Sequence, residues 1–172
     1  AAAGNAAEGA AAGIVEGKPF RSLRAGVLTT GGEVFSGRIE DKFGPVLREK
    51  LAAFGSEVVE QRFAPDDTDS IAEGIRYFLD GGVDLVLVTG GMSVDPDDRT
   101  PGAIRKSGAE IVSYGTPMLP GSMMLFGYLP GGTPVFGLPG AVIYEPYTAF
   151  DALLPRVLVG VRVTRAGITR LG

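Results

Sequence analysis

The run Val83-Asp84-Leu85-Val86-Leu87-Val88 constrains this chain more than any other stretch. It is short, rich in β-branched residues and preceded by two glycines, which marks a buried strand. A strand with almost no polar face belongs in the middle of a largely parallel sheet covered by helices. It empties into Thr89-Gly90-Gly91-Met92-Ser93-Val94-Asp95-Pro96-Asp97-Asp98-Arg99 and then Thr100-Pro101. That last pair reads as a helix start, with a hydroxyl at N-cap and a proline at N1. Glycines in this place set bare backbone N–H groups at the carboxyl edge of a sheet, where open α/β folds bind ligands, phosphorylated ones among them. A tight turn that needs glycine only for its φ angles would be spelled the same way.

The rest of the chain repeats the alternation. Strands are expected over 23–29 and 56–63, and helices over 42–54 and 70–80. In the first helix Phe43, Val46, Leu47, Leu51 and Phe54 share one face. Gly55 and Gly81-Gly82 stop the two helices. This β-α-β-α-β order with short connections implies right-handed crossovers and a parallel sheet. A short helix over 101–107, a strand over 109–114 and two strands over 123–129 and 134–138 follow. The last two are joined by Pro130-Gly131-Gly132-Thr133, a hairpin-like turn. A helix over 142–154 closes the pattern. The expected fold is a three-layer α/β/α domain with a mostly parallel central sheet, spanning 21–160. Before it lies a flexible Ala/Gly-rich linker over 1–20, which suggests the C-terminal piece of a longer protein. After it comes a tail over 161–172, read as a solvated exit strand.

Residue types narrow the chemistry. The 172 residues are enough for one sizeable core, and they contain neither histidine nor cysteine. That removes thiolates, imidazole bases and the Ser-His-Asp arrangement. A formal net charge of −4 argues against a general nucleic-acid binder. No apolar run approaches the ~18 residues needed to cross a bilayer. Carboxylates, hydroxyls, Lys, Arg, backbone amides and a hard cation such as Mg²⁺ remain. The P-loop and dinucleotide fingerprints are both missing, which disfavours kinases and dehydrogenases of those kinds.

Four glycine-bearing loops, at 31–32, 90–91, 121 and 140, follow expected strands and would converge along one sheet edge. Glu33, Asp41, Asp66, Asp67, Asp95, Asp97 and Asp98 sit beside them. Asp67, Asp69, Asp95 and Asp97 read best as helix caps or solvated loop charges. Several carboxylates around an anion pocket would repel its ligand unless Mg²⁺ bridged the two. Asp98 and Asp66 are the candidates for that metal and for catalysis.

These motifs together resemble the molybdopterin-binding domain of molybdenum-cofactor biosynthesis. That family includes molybdopterin adenylyltransferases, molybdate-inserting enzymes, gephyrin and the amino-terminal part of competence/damage-inducible proteins. Thr29-Thr30-Gly31-Gly32-Glu33 is similar to the first-strand loop of the molybdate-inserting branch. Asp41-Lys42-Phe43-Gly44-Pro45 is similar to the Asp-Lys-x-Gly-Pro of the adenylyltransferases. Pro65-Asp66-Asp67, the Thr89-Gly90-Gly91 loop through Asp98 and Thr100-Pro101, Pro120-Gly121, and Leu138-Pro139-Gly140 match further steps, covering about 23–155. The last motif departs from the family's Leu-Pro-Gly-Asn/Gln-Pro, because Ala141-Val142 supplies neither the amide nor the second proline.

The resemblance implies a pterin and phosphate site made by Thr89, Gly90, Gly91, Ser93, Gly121, Ser122, Pro139 and Gly140. It places Asp66 and Asp98 where the adenylyltransferases carry required aspartates, and Glu33 where the inserting enzymes carry a glutamate. It implies a cytoplasmic protein, a trimer or dimer, with molybdopterin as ligand or substrate and no nucleic-acid or membrane partner. The activities it implies are Mg²⁺-dependent adenylyl transfer from ATP to molybdopterin, or molybdate insertion. A non-catalytic molybdopterin-binding module and a competence/damage-inducible-type nucleotide pyrophosphatase are the alternatives.

Overall fold

The computed structural model describes residues 14–15, 18–92, 98–118 and 120–171. Two-residue strands β1 (Ile14–Val15) and β2 (Lys18–Pro19) pair with each other ahead of the main sheet. That sheet contains β3 (Arg24–Thr30), β4 (Glu57–Ala64), β5 (Leu85–Thr89), β6 (Glu110–Tyr114), β7 (Leu125–Tyr128) and β8 (Pro134–Leu138). Their spatial order is β4-β3-β5-β8-β7-β6. β3 lies parallel to β4 and β5, and β5 parallel to β8, while β7 runs against both β8 and β6. The sheet is therefore mostly parallel, with one reversed strand. All five residues of β5 are buried, as expected of its apolar run.

Helices are α1 (Gly32–Phe35), α2 (Phe43–Ala52), α3 (Thr68–Asp80), α4 (Thr100–Lys106), α5 (Ala141–Tyr144), α6 (Ala149–Leu158) and α7 (Arg165–Thr169). Alternate residues of the strands face opposite helical layers. Ala25, Val27, Leu85, Leu87 and Phe136 pack against Leu47 and Leu51 of α2, Leu153 and Leu154 of α6 and Ile168 of α7. Leu28, Val86, Val88 and Val135 pack against Ile71, Ile75 and Phe78 of α3 and Ile104 of α4. The three-layer α/β/α expectation is what the structure shows.

Two expectations for residues 142–172 fail. The single helix over 142–154 is instead α5, then a break, then α6. Glu145 is extended, with φ −107° and ψ 133°, because the following Pro146 disfavours helical backbone at the residue before it. Thr148 then opens α6 against Asp151: its hydroxyl and backbone N–H both donate to Asp151 Oδ2, at 2.9 and 2.7 Å. The C-terminal tail is likewise not a solvated strand. Thr164 Oγ1 accepts the Gly167 N–H at 3.1 Å to start α7, and Val163 and Ile168 are buried in the core. The Tyr128 hydroxyl accepts the Val163 N–H at 2.8 Å, tying this segment to β7.

Candidate functional site

The parallel strands all end on one edge, and that edge carries the glycine loops. Gly90 and Gly91 follow β5, and Pro139 and Gly140 follow β8. Gly121 and Ser122 lie in the loop that follows β6, as expected, and leads into β7. β7 is the reversed strand, so its beginning falls on the same edge as the ends of the others. The three loops line a cavity of about 540 Å³, together with Phe43, Met92, Asp98, Met123, Leu138 and Ala141.

The loop after β5 lies against β3 through a set of hydroxyls. Thr30 Oγ1 donates to the Thr89 carbonyl at 3.0 Å, and Thr100 Oγ1 donates to the Gly90 carbonyl at 2.6 Å. The two hydroxyls are 3.4 Å apart and buried. Gly90 has φ +88°, and a Cβ on it would lie 2.4 Å from the Thr30 carbonyl oxygen. Only glycine lets the loop pass that close. Thr100 consequently does not cap α4: the cap position is Arg99, and the Thr100 hydroxyl is spent on the glycine loop.

Of the expected site residues, Gly90, Gly91, Asp98, Gly121, Ser122, Pro139 and Gly140 come together at the cavity. Thr89 does not line it. Its side chain is fully buried and donates to Thr29 Oγ1 at 3.0 Å, so it supports the loop from beneath. Ser93, Asp95 and Asp97 lie outside the described residues. Glu33 is exposed on α1, and Asp66 is exposed between β4 and α3; neither lines the cavity. Gly31 accompanies Glu33 at the end of β3, on the same edge but outside the cavity wall.

The neighbouring acids have structural partners. Asp67 caps α3, accepting the Ser70 N–H at 2.9 Å and the Ser70 hydroxyl at 2.8 Å. These bonds, the backbone one first, hold its carboxyl below the ordinary aspartate value. Asp69 pairs with Lys106 of α4, and the hydrogen bond to its carboxylate holds that ammonium above its usual value. Asp41 accepts the N–H groups of Phe43 and Gly44 at 3.0 and 3.1 Å. Among the described residues no three acidic side chains are grouped so as to hold a metal ion. Among the described residues, Asp98 is the carboxylate at the cavity.

Sequence reasoning misses Phe43, Met92, Met123 and Ala141 as wall residues. Phe43 reads from the sequence as part of the apolar face of α2, and it does pack against the core as well. The signal that could have found it is its place inside a motif that otherwise consists of capping and turn residues. α5 is a single turn of four residues. A long helix starting at Gly140 would offer an anion its dipole, and four residues offer little.

Among the described residues, no helix is long and apolar enough to cross a membrane. A family described as a probable molybdopterin-binding domain matches residues 26–158. The molybdopterin biosynthesis enzyme MoaB of Thermus thermophilus superposes with a TM-score of 0.67 at 30% identity, over 78% of this chain and 91% of that one. The tungsten cofactor synthesizing protein MoaB of Pyrococcus furiosus shares the fold, with a TM-score of 0.64 at 23% identity, over 83% of this chain and 98% of that one. A CinA-like protein of Mycobacterium avium is 36% identical over 92 residues, which are 53% of this chain and 21% of that protein. The chain thus spans about a fifth of the length of the curated relatives it matches. By the extent of the family match and the agreement in fold, the chain belongs to the molybdopterin-binding domain family.

Proposed function

We propose that this chain binds molybdopterin in molybdenum-cofactor biosynthesis or handling, in the cytoplasm and as a homo-oligomer, a trimer or dimer. The observation that carries the reading is the convergence of three glycine-bearing loops, after β5, between β6 and β7, and after β8, on one cavity with Asp98 in its wall. Close backbone approach suits the phosphate of the ligand, and the volume suits its ring system. In the catalytic form of this reading, the step is Mg²⁺-dependent adenylyl transfer from ATP to molybdopterin, or molybdate insertion. Asp98 would offer Mg²⁺ one carboxylate, with ligand oxygens as the other donors; Asp66, outside the cavity wall, is not placed to share the ion. The ion would supply charge neutralisation at the phosphate.

Isothermal titration of the intact protein with molybdopterin tests the reading; no detectable binding overturns it. Gly140 allows a sharper version. A Cβ there meets no protein atom within 4 Å, so Gly140→Val keeps the fold while adding bulk beside the loops. Its melting temperature stays near wild type, and its affinity for molybdopterin falls about tenfold or more.

Asp98→Asn decides between an enzyme and a binding module. A transferase loses at least about a hundredfold in turnover, the scale of one electrostatic group at a phosphoryl centre, while binding persists. A module that senses or delivers the cofactor has no turnover to lose. The CinA-like relatives favour a second reading, a nucleotide pyrophosphatase domain. Mg²⁺-dependent hydrolysis of ADP-ribose by the wild-type protein, abolished in Asp98→Asn, would support that reading against the first.

A further inference from the structure

The cavity has one aromatic residue in its wall among the described residues, Phe43, and the surroundings of that residue are unusually constrained. Asp41 Oδ1 accepts the Phe43 N–H at 3.0 Å, and Asp41 Oδ2 accepts the Gly44 N–H at 3.1 Å. The same Oδ2 accepts Gln61 Nε2 at 2.9 Å, and Gln61 Nε2 also lies 2.9 Å from Thr29 Oγ1. The start of α2 is thereby fastened to β4 and β3. Gly44 makes this possible: a Cβ on it would fall 2.3 Å from Gln61 Oε1 and 2.8 Å from Asp41 Oδ2. Asp41 and Gly44 are occupied in building the scaffold. Position 43, between them, is free to present a side chain to the ligand.

We propose that Phe43 is a specificity-determining residue, an aromatic wall against which the planar heteroaromatic ring of the ligand stacks while the glycine loops take its phosphate. The proposal rests on the molybdopterin reading for the identity of the ring. Phe43 is half-buried, with a flank on the core that fixes its orientation. Met92 and Met123 line the same cavity, and their thioethers make adaptable, polarizable neighbours for a flat ring. Ring stacking on an aromatic side chain is lost on truncation to alanine, whereas a phosphate held by backbone amides is indifferent to it.

The test uses wild type, Phe43→Ala, Phe43→Leu, Phe43→Tyr and Phe43→Trp of the full chain, titrated with molybdopterin and, separately, with AMP. Molybdopterin affinity about tenfold or more weaker in Phe43→Ala, and within about threefold of wild type in Phe43→Tyr, is the expected result. Phe43→Leu keeps the apolar packing without the ring, so it stays folded if the alanine variant does not, and its affinity falls about threefold or more. The chain contains no tryptophan, so Phe43→Trp creates a single fluorophore at the wall. Bound molybdopterin quenches it, while a control tryptophan at exposed Phe35, outside the cavity, is unaffected. Equal molybdopterin affinities in wild type, Phe43→Ala and Phe43→Leu, or quenching equal at the two sites, overturn the wall and leave the molybdopterin reading standing. No molybdopterin binding by wild type overturns that reading instead. AMP then decides the wall: binding that falls in the alanine variant supports it, and unchanged or absent binding overturns it.

Discussion

Phe136→Ala will lower the stability of this domain by about 3–5 kcal/mol, the range for deleting a fully enclosed aromatic side chain. Phe136 has no exposed surface and stands edge-on between two other rings. Its centroid is 4.8 Å from that of Phe126 on β7 and 5.1 Å from that of Phe150 on α6, with interplanar angles of 63° and 88°. Phe126 in turn meets Tyr128 at 5.2 Å. Truncation therefore loses the transfer free energy of the ring and two edge-to-face contacts, and leaves a void that rigid neighbours on β7 and α6 cannot close. For a chain of this size the loss corresponds to a drop of roughly 6–20 °C in Tm, read by chemical and thermal denaturation. Phe136→Leu, which fills much of the void, costs less than half as much. Equal stabilities for Phe136→Ala and wild type would mean that this ring column is not a core at all.

Asp151→Ala is the second large effect, expected at about 3 kcal/mol. Asp151 Oδ2 accepts three donors: Lys50 Nζ at 2.7 Å, the Thr148 N–H at 2.7 Å and the Thr148 hydroxyl at 2.9 Å. The two charged side chains of the Asp151–Lys50 pair keep only 14% and 12% of their exposure. The attraction between them largely offsets the desolvation of each. Removing one leaves the other bearing that penalty alone, which is why a single deletion costs more than the pair contributes. The loss also strips α6 of its cap and leaves the buried Thr148 hydroxyl without its acceptor. Water still reaches both charges, which sets the value at the lower end of the range for buried pairs. Asp151→Asn retains an acceptor for Thr148 and is the milder change. Urea denaturation of the two variants orders them; Asp151→Asn as damaging as Asp151→Ala would assign the effect to charge alone.

The strands are legible because burial on both faces writes an unbroken apolar run, as in Leu85 to Val88, and because glycines punctuate each end. The helical layers are legible through single apolar faces, such as Ile71, Ile75 and Phe78 of α3. What cannot be read is set by partners distant in the chain. The Thr100 hydroxyl spells a helix cap, yet Gly90, ten residues earlier, takes it. Phe43 spells a core position, yet the loops after β5 and β8 bring a cavity to it. The reversal of β7, which brings its start to the cavity beside the end of β6, leaves no mark in its composition. Val163 and Ile168 carry too little periodicity to announce α7, which packs beside β6 and sets Ile168 in the core.

The reversal of β7 reaches beyond the cavity. It sends the β7–β8 turn, residues 129–133, to the opposite end of the molecule from the ligand. Gly131 and Gly132 stand there exposed, with nothing within 4 Å of where either Cβ would be. The Leu129 N–H to Thr133 carbonyl bond at 2.7 Å closes the strands on both sides, and the tip adds one turn bond, from the Gly132 N–H to the Leu129 carbonyl at 2.8 Å. A reporter or second domain spliced between these glycines would ride on the blunt end of the sheet, with every wall of the binding cavity untouched.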